Sequence, residues 1–222
     1  MNLNQYNQRP SVASQLANQN NLRVILNQTS QGIELLLFDD IGQEGTNAKS
    51  VATALMEHSG KPINVRINSV GGASFDGVTI YNSLRNHNAP VTTTIEGVAG
   101  SAAAVIAMAG SPVRMQRAGS LFIHRSWMQA SGNAQQMLEL VAMLQKVDNR
   151  SAEIFSEKTG LSEVKIMELM AGKSDGTWFT PNEAKAMNFV DEIIGTKKVL
   201  NAIDSIAARL RILEINGNKK SL

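Results

Sequence analysis

Residues 97–110 read GVAGSAAAVIAMAG, and this run carries a single hydroxyl, Ser101, among glycine, alanine and small apolar side chains. Small side chains let stretches of backbone approach closely, so the run predicts a tightly packed crossover from strand to helix. Val98 ends a β-like segment, Gly97 and Gly100 permit a tight turn, and Ala102 to Ala109 reads as a buried helix. A serine on such a turn sits at the positive end of the new helix, beside N–H groups that lack partners. That setting suits a nucleophile whose product is an oxyanion. The plainer reading is a packed crossover in which Ser101 only caps the helix. The stretch alone does not choose, so the flanking sequence has to.

Working back from the run, VTTTIE at 91–96 is rich in β-branched residues and predicts the strand that enters it. INVRI at 63–67 alternates as a strand and runs into NSVGGASFDG, and a helix is predicted over 78–86. Apolar residues at 48, 51, 52, 55 and 56 predict a helix over 48–58. Strands are predicted at 22–27 and 32–38, the second containing the apolar run ELLLF. DDIGQEGT at 39–46 lacks the spacing of a cation loop and reads as a solvated turn. Beyond the run, short strands are predicted at 113–116 and 121–123. The order β-α-β-α-β with helical crossovers predicts an α/β fold, a parallel sheet flanked by helices. Ligand sites in such folds lie at the carboxyl ends of strands, where both SVGGAS and GVAGS fall.

Further on, 133–158 predicts one helix of about 26 residues, roughly 39 Å long, which projects or packs against another subunit unless the core absorbs it. A shorter helix is predicted over 161–171. TPNEAKAM at 180–187 has Thr, Pro and Glu spaced as N-cap, N1 and N3 of another. Residues 1–21 are Asn- and Gln-rich without a period and read as a flexible tail. Residues 22–196 form the expected domain, and 197–222 a C-terminal amphipathic helix (199–215) and tail.

The 222 residues, 43% hydrophobic, suffice for one α/β domain with a real core. A net charge of +2 without a basic block argues against nucleic acid and anionic membranes as partners. With no cysteine there is no disulfide, thiol nucleophile or cysteine zinc site. The N-terminus has no signal-peptide pattern and no apolar run is long enough to span a bilayer, so a soluble, cytoplasmic protein is expected. No metal or cofactor is called for.

A serine becomes a nucleophile at neutral pH only with a base beside it, and histidine suits that role. The chain has three histidines. His58 and His87 lie at or beside polar helix ends. His124 ends an apolar strand, LFIHRSW, downstream of the Ser101 run.

These residues resemble the Clp protease proteolytic subunit, a serine endopeptidase family with the ClpP/crotonase-like fold. The likeness rests on INSVGG at 67–72, IYNSL at 80–84, GVAGSAAAVIAMAG at 97–110 and IHRSW at 123–127, with a weaker match in WFTPNEAKAMNFVDEI at 178–193. It spans roughly residues 34–194. The short spacing from INSVGG to IYNSL and the small-residue serine turn are most similar to the Clp-like head maturation proteases of phages and prophages.

The resemblance implies repeated β-β-α units and a long projecting handle helix that joins stacked homo-oligomeric rings. It implies Ser101 as nucleophile, His124 as general base, and the backbone N–H groups of Gly72 and Ala102 as the oxyanion hole. SVGGAS and RSWMQAS would wall a peptide cleft, with Gly71, Ala73, Arg125, Ser126 and Trp127 touching substrate. The third triad member departs from the family pattern. Alignment on Phe179 and Thr180 puts Gly176 where the acid belongs, so Asp175 is assigned with a slip of one residue. Asp191 and the absence of any acid are the alternatives. The N-terminal residues do not resemble the pore loops of ATPase-partnered subunits, which argues against a Clp ATPase partner. Three other readings compete: a crotonase-type acyl-CoA enzyme, which needs a carboxylate at the site; a non-catalytic assembly subunit of the same fold; and a Ser-Lys peptidase, disfavoured because His124 fills the base position.

Overall fold

The computed structural model describes residues 25–29, 32–173 and 175–195. The predicted tail at 1–21, the start of the first strand and the C-terminal helix lie outside the described residues. Among the described residues eight strands form one sheet: β1 (Ile25–Thr29), β2 (Gly32–Leu37), β3 (Ile63–Ser69), β4 (Val91–Gly100), β5 (Val113–Gln116), β6 (Ser120–Ile123), β7 (Thr177–Phe179) and β8 (Glu192–Ile194). The helices are α1 (Ala48–Glu57), α2 (Ser74–Arg85), α3 (Ala102–Ala107), α4 (Ala134–Thr159), α5 (Glu163–Ala171) and α6 (Pro181–Ala186).

The strand order is β1-β2-β3-β4-β5-β8, and the pairs from β2 through β8 are parallel. The expectation of a parallel sheet needs a correction at both margins, because β1–β2 and β6–β7 pair antiparallel. β1 and β2 follow one another directly in sequence, whereas β7 reaches β6 only after α4 and α5. The interior strands bury aliphatic residues: Leu35, Val65, Ile67, Ile95 and Met115 are all at most 1% exposed. Every residue of α3 is buried.

Strand β4 organises the rest. Its first half pairs with β5 at Thr93–Ile95, and its last residues switch to β6, with Val98 opposite Ser120 and Gly100 opposite Phe122. That second pairing keeps GVAG extended, so the strand ends at Gly100 rather than at Val98. Helix α2 also starts four residues before the predicted Val78, at Ser74. Ser74–Gly77 carries no apolar stripe, since Phe75 is 67% exposed and Gly77 is buried. Asp76 in that first turn accepts a hydrogen bond from the Ala48 N–H at 2.7 Å, tying the starts of α1 and α2 together.

Helix α4 is 26 residues long, opened by an Asn133–Gln136 capping box and closed by Gly160 in the left-handed conformation. Its halves differ. None of residues 134–147 is buried, and Leu138 and Val141 are 65% and 50% exposed. The second half buries Asp148, Ser151, Ala152, Ile154, Phe155 and Thr159. Lys158 near its end bonds Asp191, whose Oδ2 also accepts the Val113 N–H at 2.6 Å. Asp191 is therefore committed to fastening α4 and β5. At α6 the Thr180 hydroxyl accepts from the Glu183 N–H, and the Glu183 side chain accepts from Thr180 with Pro181 at the first helical position, as the spacing predicts. Those bonds from Thr180 hold the Glu183 carboxyl below its ordinary pKa. No helix among the described residues is long and apolar enough to cross a membrane.

Candidate active site

The pairing of β4 with β6 sets Gly100 opposite Phe122, so the next residues of each chain emerge side by side at the carboxyl end of the sheet. The Ser101 N–H bonds the Phe122 carbonyl at 2.9 Å, which pins the turn to the strand that carries His124. Ser101 has φ 53° and ψ −122°, a sparsely populated conformation for a residue with a Cβ. Such a conformation costs on the order of 1–3 kcal/mol and persists only where the surroundings over-determine it. Here they do. A Cβ on Gly71 would lie 2.7 Å from the Ser101 Cβ and 2.6 Å from the Gly100 carbonyl oxygen, so the glycine backbone packs directly on the turn.

Ser101 occupies the N-cap position of α3 but makes no capping hydrogen bond with its side chain. Its Oγ lies 2.8 Å from His124 Nε2 instead. A pure cap would aim the hydroxyl at the N–H groups of the helix, and this one faces an imidazole nitrogen able to take its proton. Among the described residues the N–H groups of Gly72 and Ala102 meet no acceptor, while their neighbours are engaged: Gly71 N–H with Ser69 Oγ, and Ala73 N–H with the Ile41 carbonyl. Two free donors next to the Ser101 turn can stabilise negative charge on a carbonyl oxygen.

The imidazole is oriented by stacking. Its ring lies against Phe122 at 5.1 Å, and Phe122 lies against Trp178 of β7 at 4.4 Å. The other ring nitrogen, Nδ1, is buried and has no hydrogen-bond partner among the described residues. Asp175 does not reach it and is exposed. The register explains why. Ile123 pairs with Thr177, so one step further His124 faces Gly176, and a shift of one residue turns a side chain to the opposite side. Position 176 itself admits no carboxylate: with φ 105°, a Cβ there would sit 2.5 Å from the Ile123 carbonyl oxygen and 2.6 Å from His124 Cβ.

The expected cleft walls are partly occupied. Gly71 O accepts from the Ile41 N–H, and Ala73 N–H donates to Ile41 O. The Arg125 N–H goes to the Met170 carbonyl at 3.1 Å, and the Ser126 N–H to Asp148 Oδ1 at 2.7 Å. Trp127 is 75% exposed. Asp148 is a residue that sequence reasoning missed. It is 6% exposed and holds the chain two residues past His124. Its signal was a lone carboxylate on the stripe formed by Leu144, Val147, Ser151 and Phe155. Phe122 and Trp178 were also missed, because stacking across β6 and β7 shows only once those strands are paired.

The family model described as Clp protease matches residues 19–197. The chain belongs to the Clp protease family. Among relatives of this Clp-family chain, the ATP-dependent Clp protease proteolytic subunit of Bacteroides fragilis is 28% identical over 137 residues, 61% of this chain and 65% of the relative. The chain thus spans just under two thirds of that relative's length. The ATP-dependent Clp protease proteolytic subunit 1 of Protochlamydia amoebophila is 28% identical over 141 residues, covering 62% and 67%. A ClpP1 mutant from Listeria monocytogenes superposes with a TM-score of 0.63 at 25% identity, over 74% of this chain and 92% of that one. The mixed α/β architecture described above is thus a ClpP-like fold.

Proposed function

We propose that this Clp-family chain is a serine endopeptidase that cleaves peptide bonds through an acyl-enzyme. The observation that carries the reading is the Ser101 hydroxyl, turned away from its own helix and 2.8 Å from His124 Nε2. In the proposed mechanism Nε2 takes the hydroxyl proton as Oγ attacks the scissile carbonyl carbon. The carbonyl oxygen becomes an oxyanion facing the N–H groups of Gly72 and Ala102. Collapse expels the amine, which receives the proton from His124, and leaves an ester on Ser101. Water, deprotonated by the same nitrogen, then hydrolyses the ester and restores the hydroxyl.

Asp175 is the third member of this proposal, on one condition. Residues 173–176 must turn for its carboxylate to meet Nδ1. Gly71, Ala73, Arg125, Ser126 and Trp127 form the proposed substrate contacts, with Gly72 offering the open backbone groups of that wall. The proposed assembly is a homo-oligomeric ring in which the outer half of α4 meets a second copy. The proposed biological role is head maturation in a phage or prophage, supported by the spacing from INSVGG to IYNSL and by the small-residue serine turn.

A non-catalytic assembly subunit of the same fold is the second reading, and the unpartnered Nδ1 favours it. The crotonase alternative needs a carboxylate at the site, and the residues lining the recess beside Ser101 include none. Labelling the full chain with a fluorophosphonate separates the two survivors. Wild type is expected to form an adduct on Ser101 that is lost in Ser101→Ala and nearly lost in His124→Ala. An unlabelled wild type that also cleaves no peptide defeats the peptidase reading and leaves the assembly subunit.

A further inference from the structure

We infer that Asp148 is a positioning residue for the acyl transfer: from α4 its carboxylate fixes the backbone that follows His124 and so keeps the imidazole on Ser101; this rests on the peptidase reading above. Strand β6 ends at Ile123, the last residue it pairs with β7, so the ladder stops one residue short of the base. Beyond it the chain is fastened at two points. The Arg125 N–H donates to the Met170 carbonyl at 3.1 Å, and the Ser126 N–H donates to Asp148 Oδ1 at 2.7 Å. Among the described residues no backbone N–H from Trp127 to Gly132 has a partner, and the next to find one is that of Asn133. His124 thus stands at the root of an open segment, and Asp148 is the one side chain among the described residues that bonds the backbone of that root. The imidazole depends on this backbone because Nδ1 has no partner among the described residues and holds the ring to nothing. What remains is the stack on Phe122 and the course of the main chain.

The residue type carries the argument further. Asp148 is 6% exposed and is the first buried residue of α4, on the stripe with Leu144, Val147, Ser151 and Phe155. An ionised carboxylate is costly to bury without a partner, and an aliphatic side chain would fill the same stripe without that cost. No Lys or Arg pairs with it among the described residues. Lys146 and Arg150 lie two residues away on either side, a spacing at which helical side chains do not face one another. The Ser126 N–H is the partner that offsets the burial, in a short charge-assisted bond. Take the acceptor away and that N–H is left unpaired, free to move with the open segment beyond it.

The test is fluorophosphonate labelling of Ser101 in the full chain, resolved into a maximal rate and a half-saturating concentration, with melting followed alongside. Asp148→Ala is expected to lower the maximal rate by about 10²-fold, the scale on which a displacement of about 1 Å costs reactivity. Its half-saturating concentration should move by less than about threefold, because the loss falls on reaction and not on binding. Asp148→Asn, which keeps an oxygen in the same place without the charge, should restore the rate to within about threefold of wild type. If the alanine variant gives no cooperative melt, Asp148→Glu takes its place, with an expected loss of about tenfold from an acceptor displaced by one methylene. A wild-type maximal rate in the alanine variant, or in the glutamate variant standing in for it, overturns the inference and leaves Asp148 a purely structural residue, whatever the melting temperature does. An asparagine variant as slow as alanine overturns it as well, since the hydrogen bond would then not be the cause. So does a change confined to the half-saturating concentration. Absence of labelling in wild type defeats the peptidase reading, and this inference with it.

Discussion

On one side of His124 the chain from Gly100 to Ala102 is held by β6 through the Phe122 carbonyl, by Gly71 from above and by a helix with every residue buried below. On the other side Gly172 N–H bonds Glu168 O and Gly176 N–H bonds Ala171 O, with Lys173 and Asp175 exposed. The first region can keep a serine in a strained conformation because several elements would have to move together to release it. The second presents the proposed acid only through strand parity, and the parity puts Gly176, not Asp175, opposite His124. Pairing of Ser101 with His124 is thus a by-product of sheet formation, whereas completing the proposed triad depends on a local conformation.

The contrast can be broken at several points. The largest effect belongs to His124→Gln, expected to lower peptide turnover by about 10⁴-fold, with a melting temperature close to wild type because Gln preserves much of the packing. Survival of turnover would remove the imidazole from the mechanism. Gly71→Ala comes next. A methyl group forced against Ser101 and Gly100 should destabilise the fold by about 1–3 kcal/mol, read as a lower denaturation midpoint, together with loss of labelling at Ser101. A neutral result would mean that the turn is looser than its contacts indicate.

Asp175→Asn should leave stability unchanged and lower turnover by about tenfold, below the cost of removing a permanently engaged triad acid. Unchanged turnover would reduce the machinery to the Ser101–His124 pair, and a loss approaching that of His124→Gln would show that the turn closes on substrate. Trp178→Ala should have the smallest effect, a two- to fivefold fall, since stacked aromatic contacts are each worth about 0.5–1.5 kcal/mol. If turnover holds, Phe122 alone suffices to orient the ring.

Much of this was legible in the sequence, for identifiable reasons. Thr180, Pro181 and Glu183 announced α6 because capping chemistry is local, and α4 was visible because its period persists over seven turns. Ser101 and His124 could be paired from the resemblance and from the strand that ends at His124. What stayed hidden depends on pairing between distant segments. The extension of β4 to Gly100 is dictated by β6, and the early start of α2 is dictated by tertiary packing and not by an apolar stripe. The burial of Asp148 and the stacking of Trp178 need the folded chain. The facing of Gly176 rather than Asp175 toward His124 is a question of register, which sequence counts to within a residue while the chemistry requires none of that latitude.

The outer half of α4 adds one more variable, protein concentration. Leu138 and Val141 stand in water beside the partly covered Met137, Leu140 and Leu144. In the proposed assembly these side chains leave water only when a second copy arrives, so part of the free energy that holds the folded state obeys mass action. Dilution should then lower the melting temperature, whereas a chain that satisfies itself alone melts at the same temperature at every concentration.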